Sequence, residues 1–350
     1  MEEYIAFDSH KRYTWVERQD AQTGETVEGR VEHARGAIRR YLAACTPGTP
    51  VAVEATGNWY WIIDEIEQAG LCPRLVHPRK AKLMMGLINK TDKLDAHGLN
   101  TLQRNGTMPT LWIPPGPLRD LRELTRTRLV LVEQRTRLKN RITATLAKYG
   151  LSSEASDPYG KRARAELEQQ LEQLPPQTRW VTGQLLAQLD FVTQQISPLE
   201  ERLEELIEAT AEMQRLMSLP GIGVILAATI ALEIGEVTRF PGAAHLASYA
   251  GTTPRVHASG GKVRYGKLRS DVNRYLKWAF VEAANSVAVN HRRCPQRHVS
   301  QLYFRLRQRK GHSKAVGAVA RHLAEAAFYV LSRQELYRDP VNGAGRSSEV

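Results

Sequence analysis

The stretch Pro50-Val51-Ala52-Val53-Glu54-Ala55-Thr56-Gly57-Asn58 decides the fold class. Its first half is a short apolar run of strand formers that ends on an acid. Ala55-Thr56-Gly57-Asn58 then turns the chain into Trp59–Ala69, which has the apolar spacing of a helix. Working outward, Tyr4–Asp8 (YIAFD) alternates like a strand and also ends on an acid, and Arg12–Arg18 (RYTWVER) suits a hairpin partner. Val31–Ala44 has apolar residues at helical spacing. Pro73–His77 (PRLVH) is a further short strand, followed by helices over Pro78–Leu87 and from Thr91 to about Asn105. Strands alternating with helices make an α/β layer.

Within the last helix, Lys90-Thr91-Asp92-Lys93-Leu94-Asp95-Ala96 places two carboxylates three residues apart behind a Thr that can cap it. Residues i and i+3 share a helix face, so Asp92 and Asp95 project together near the positive end of the helix dipole. Adjacent carboxylates raise one another's pKa. Such a pair suits a solvated first turn or a divalent cation.

The 350 residues suffice for two or three domains, and 42% hydrophobic with 25% charged residues reads as soluble and globular. A formal net charge of +12 and a pI near 9.7 point to a polyanionic partner, nucleic acid. No apolar run reaches the ~18 residues of a membrane span. The acidic start Met1-Glu2-Glu3-Tyr4 is unlike a signal peptide, so no membrane partner is expected. Cys45, Cys72 and Cys294 are far apart and odd in number, which speaks against a disulfide framework or a zinc site. A reducing cytoplasm fits.

Pro114-Pro115-Gly116-Pro117 is a hard break. The reading gives an α/β domain over residues 1–112, a helical coiled-coil region over 113–212 and a mainly helical C-terminal domain over 213–340. Leu118–Tyr149 reads as one long helix with Leu124, Leu131 and Leu138 every seven residues. Its many cations, Arg119, Arg122 and Arg126 among them, are expected on an outer, phosphate-facing surface. Beyond Pro175-Pro176, the series Leu185, Leu189, Val192, Ile196, Leu199, Leu203, Leu206 follows coiled-coil spacing, within the chain or between subunits. Ser197-Pro198-Leu199-Glu200 resembles a capping box at which that helix restarts or kinks.

Leu219-Pro220-Gly221-Ile222-Gly223 introduces the apolar helix Val224–Ile234. Such a turn, with Gly221 and Gly223, either offers backbone N–H groups to a phosphate, as a helix-hairpin-helix does, or simply joins two helices. Tyr249–Arg274 is Gly-rich, basic and poorly periodic, hence a loop or ragged hairpin. In it Lys262, Arg264, Lys267, Arg269 and Arg274 surround Ser259-Gly260-Gly261. An apolar helix over Tyr275–Val289, a second basic block from Arg292 to Lys310 and a final helix over Ala315–Leu331 complete the chain, whose last ten residues look frayed.

Two constellations can carry chemistry. Asp8 and Glu54 each end a strand of the α/β layer, where ligands gather. With Asp92 and Asp95 they would supply four hard oxygen donors suited to Mg²⁺ or Mn²⁺, as in two-metal phosphoryl transfer. The second is Ser259. Glycines let the backbone approach a phosphodiester, arginines hold its oxygens, and a serine could attack phosphorus. The sequence supplies no dedicated base beyond nearby His257, and an ordinary turn serine is the plainer alternative.

Asp8 after an apolar strand, Glu54-Ala55-Thr56-Gly57 and Lys90–Ala96 resemble the DEDD signature of the "IS one-ten" group of bacterial insertion-sequence transposases. Leu219–Gly223 and Tyr249-Ala250-Gly251-Thr252-Thr253-Pro254, followed by Ser259-Gly260, resemble its C-terminal transposase domain. The resemblance implies an RNase H-like (RuvC-like) N-terminal domain, a coiled-coil segment and a C-terminal domain whose catalytic serine is Ser259. It implies DNA strand exchange through a covalent serine–DNA intermediate, with Mg²⁺ at Asp8, Glu54, Asp92 and Asp95. It further implies homo-oligomers, dimer to tetramer, guided by a structured non-coding bridge RNA that pairs with donor and target DNA. A bacterial cytoplasmic, nucleoid-associated location follows. Lys267-Leu268-Arg269-Ser270-Asp271-Val272-Asn273 departs from the Ile-Ser-Lys-x-Gly-like stretch of many relatives. Two other readings stand beside this one: a metal-dependent junction nuclease, and a catalytically silent nucleic-acid-binding remnant.

Overall fold

The computed structural model describes residues 3–86, 91–208, 210–269 and 272–340. Lys90 of the carboxylate motif, Ser270 and Asp271 of the departing stretch, and the C-terminal ten residues expected to fray lie outside these. The chain divides into two compact units, Met1–Pro114 and Pro115–Val350.

The first unit is a five-stranded mixed sheet in the order β3-β2-β1-β4-β5. β1 (Glu3–Ser9), β2 (Tyr13–Asp20) and β3 (Thr26–Glu32) are antiparallel neighbours, while β4 (Pro50–Glu54) runs parallel to β1 and β5 (Cys72–Val76) parallel to β4. Side chains alternate across a strand. Ile5, Phe7, Val51 and Val53 therefore pack under α1 (Ala37–Leu42) and α2 (Trp59–Gln68). Ala6, Ala52 and Val76 pack on the other face with Ala81 of α3 (Pro78–Met85) and Leu99 and Leu102 of α4 (Asp92–Arg104). The helix expected from Val31 begins only at Ala37, because β3 continues to Glu32 and sets Val31 opposite Thr14. The α1 N-terminus lacks a side-chain cap of its own; the buried Glu65 carboxylate of α2 accepts from the N–H groups of Gly36 and Arg39.

The second unit is largely helical. α5 (Gly116–Lys148) and α7 (Pro176–Glu208) are its long helices. At one end of the pair, Ile142 and Leu146 of α5 pack with Leu186 and Leu189 of α7 and with Leu167 and Leu171 of α6 (Arg164–Glu172). The buried stripe of α7 is Leu186, Leu189, Val192, Ile196, Leu203 and Ile207, whereas Leu185, Leu199 and Leu206 of the expected seam are only half-buried. Pro198 lies inside α7, and the helix runs through Ser197–Glu200 instead of restarting there. A larger core gathers α8 (Ala211–Leu216), α9 (Val224–Ile234), α10 (Ala243–Tyr249), α11 (Arg274–Asn290), α12 (His298–Lys310) and α13 (His312–Arg333). Gly221 sits at φ 80° in the α8–α9 turn, and any Cβ there would collide with the Ala283 carbonyl of α11. Between α10 and α11, β6 (Pro254–Ser259) and β7 (Lys262–Leu268) form a separate two-stranded sheet.

Candidate metal centre and serine hairpin

Strand alternation aims the first site. Asp8 follows Ala6 by two residues and Glu54 follows Ala52, so both acids share the face that α4 covers. The register Phe7↔Val53 puts them at matching ends of neighbouring parallel strands. Thr91 Oγ1 accepts from the Leu94 N–H at 3.2 Å and starts α4, with Asp92 and Asp95 in its first turn.

Two residues that the sequence reading passed over join the acids. His10 Nε2 stands 3.1 Å from Asp8 Oδ2 and 3.2 Å from Asp92 Oδ1. The Tyr13 hydroxyl donates to Asp92 Oδ2 at 2.7 Å. Tyr13 is itself held between the His10 ring, 4.7 Å away, and the Arg30 guanidinium, 3.9 Å above its centre. His10 lies two positions after Asp8, and Tyr13 opens the strand that folds back on β1. That local spacing was the available signal.

Burial pushes the Asp8 carboxyl above the usual range, the nearby His10 opposes this, and Asp95 and Asp92 add to it. The Tyr13 hydrogen bond holds Asp92 below the usual range and raises the Tyr13 hydroxyl in turn. Donor atoms of Asp8, His10 and Asp92 lie within 4.8 Å of one another. Asp8 Oδ2 and His10 Nε2 have the distance of an ion pair without the angle of a hydrogen bond, so both are buried without a hydrogen-bond partner. The carboxylates of Asp8 and Asp92 are donors suited to a hard divalent cation, with the His10 imidazole a softer nitrogen donor beside them.

In the second unit Ser259 is the last residue of β6, not a loop residue. Gly260 and Gly261 turn the chain at φ 55° and 75°, the left-handed pair that a two-residue hairpin requires. Ser259 faces Lys262 across the hairpin and His257 faces Arg264. Opposed residues share a face, so Ser259, Lys262, His257 and Arg264 form one polar surface. All four are exposed, as are Lys267 on the other face and Arg274 at the start of α11. Arg269 is half-buried, and its carbonyl accepts from Lys277 Nζ at 2.7 Å.

Arg119, Arg122 and Arg126 depart from the expected outer basic face of α5, whereas Arg137 and Arg141 of the same helix are exposed as expected. Arg119 and Arg122 are 5% and 4% exposed. Arg122 donates to the Leu232 and Glu233 carbonyls at 2.7 and 3.0 Å. Arg126 makes a bidentate pair with the fully buried Glu233 carboxylate at 2.7 and 3.0 Å, which also accepts from Asn273 Nδ2 at 2.8 Å. These three positions fall on the same stripe as Thr125 and Leu129, the side of α5 that packs inward. Gly221 likewise serves close packing against α11, and Gly223 is the N-cap of α9.

Comparison with known proteins places this geometry. Residues 5–150 match a family described as "Transposase", and residues 213–300 match one described as "Transposase IS116/IS110/IS902 family". A relative in Pseudomonas aeruginosa, "Probable family 20 transposase", is 26% identical over 90% of this chain and 93% of its own length. The "Transposase for insertion sequence element IS1111A" of Coxiella burnetii is 26% identical over 82% of this chain and 79% of its own. The "Pilin gene-inverting protein" of Moraxella bovis is 27% identical over 80% and 79%. An acidic centre on a mixed sheet and a basic helical unit thus belong to a transposase, an enzyme that acts on DNA. Within that class, the chain belongs to the IS110 family of DEDD transposases. Among the described residues, no helix is long and apolar enough to cross a membrane.

Proposed function

We propose that this transposase cuts and rejoins DNA through a covalent serine–DNA link. Ser259 is the nucleophile, and Asp8, Glu54, Asp92 and Asp95 hold Mg²⁺ or Mn²⁺ in an RNase H-like unit. The observation that carries this reading is the display of Ser259 at an exposed hairpin end, with Lys262 opposite and His257 and Arg264 on the same face. The Ser259 Oγ–P bond forms as the P–O bond to the departing strand breaks. The serine proton passes through water to His257, and the departing oxygen takes a proton from solvent. Lys262 and Arg264 stabilise charge on the phosphate oxygens. A metal ion, when bound, polarises phosphate oxygens and neutralises their charge. Attack by a second strand's hydroxyl on the phosphoserine reverses the step and joins the new strand.

We assign sequence choice to a structured non-coding guide RNA pairing with donor and target DNA, and the working particle to a homo-oligomer of two to four chains. The +12 net charge and the family resemblance support this. The test is capture of a protein–DNA adduct on a cleaved site. The adduct is expected from the native chain, absent in Ser259→Ala, and absent without guide RNA or after chelation of divalent metal. Recombination by Ser259→Ala would defeat the serine role. Free DNA ends without attached protein would favour a junction nuclease.

A further inference from the structure

We infer that the corner between α11 and α12 is a stacking platform for an unpaired nucleotide, with Phe304 carrying the base and the arginines around it holding backbone phosphates. This surface lies outside both sites above and does not depend on the guide-RNA or serine readings.

Phe304 keeps 51% of its surface exposed. One side of it is backed by the His291 ring, nearly parallel at 25° with centroids 6.3 Å apart. His291 is fixed in turn. Its Nδ1–H donates to the Ala288 carbonyl at 2.6 Å, and the buried Tyr303 ring packs edge-on at 5.0 Å. The Tyr303 hydroxyl is hydrogen-bonded to His312 Nδ1 at 2.8 Å. Phe304 is therefore the open end of a ring stack built into the core, and a base added to it would find the platform already ordered.

The setting says what covers the ring. Between Glu282 and Glu325 the chain has nine Lys and Arg and no Asp or Glu. Arg292 and Arg293 directly follow His291, and Arg305 directly follows Phe304; all are exposed and, among the described residues, none forms an ion pair. An exposed aromatic face within an acid-free, arginine-rich segment repels another copy of itself. It matches a partner with π-faces and phosphates in alternation, which is single-stranded nucleic acid. A duplex hides its base faces and can use only the arginines.

The test measures binding of the full chain to an oligo-dT strand, an oligo-rU strand and a duplex of equal length. Phe304→Ala is expected to weaken single-strand binding about tenfold, with duplex binding within about twofold. Phe304→Trp is expected to retain it. Arg292→Ala with Arg305→Ala is expected to weaken all three probes and to lower the log–log salt slope by about two. A preference for either single strand supports the platform and names its sugar. Equal loss on single strand and duplex in Phe304→Ala, no loss at all, or a changed oligomeric state by light scattering would overturn it.

Discussion

On α5, Arg122 and Arg126 turn inward onto buried Glu233, whereas at the α11–α12 corner Arg292 and Arg305 turn outward with no acid to meet them. In sequence the two regions look alike: arginine-rich and helical. What separates them is register against the core. On α5 Arg122 and Arg126 sit on the side that packs inward, so their charge must be answered by a buried carboxylate and carbonyls. Around α12 the inward stripe is Val299, Ser300 and Tyr303, which leaves the arginines in water. Arginine density therefore reports nucleic-acid contact only where burial and acid partners are known.

The sharpest way to break this contrast is Glu233→Ala. It leaves Arg122 and Arg126 without their carboxylate and is expected to cost about 3–5 kcal/mol in urea unfolding. Arg292→Ala should stay within about 0.5 kcal/mol. Similar small effects at both sites would end the distinction. Next in size is Gly221→Ala, whose Cβ meets the Ala283 carbonyl in a left-handed turn, expected to cost about 1–3 kcal/mol. Gly260→Ala at the open hairpin tip has only the left-handed backbone to overcome and should cost about 1 kcal/mol.

Smaller still is the salt dependence of nucleic-acid binding. Arg305→Ala should lower the log–log slope by about one unit, while an α5 variant that stays folded, Arg126→Lys, should leave it unchanged. The weakest effect concerns pH. Burial first, then the adjacent His298, holds His322 below the ordinary 6.5, with Glu325 and Asp339 opposing. The unfolded chain therefore takes up a proton that the folded chain resists. Stability from this group is present above 6.5 and is lost as pH falls through the folded value. The melting temperature should fall between about pH 7.5 and 5.5, and fall less in His322→Gln. An identical fall in both would show that His322 titrates alike in the folded and unfolded chain.

Sequence by itself determined the local elements. The acids ending Tyr4–Asp8 and Pro50–Glu54, the Thr91-capped start of α4 and the length of α5 follow from alternation, capping chemistry and helical period, which need only near neighbours. Family membership was legible for the same reason, since its motifs are short and contiguous. Tertiary structure alone decided which surfaces those elements present. His10 and Tyr13 meet Asp92 from residues about 80 positions away. Val31 joins β3 because β2 pairs with it. Pro198 stays inside α7, whose seam packs against the chain's own core. Glu233 draws Arg122 and Arg126 of α5 inward. Each depends on a partner distant in sequence, and propensity and period carry no information about partners that only folding brings together.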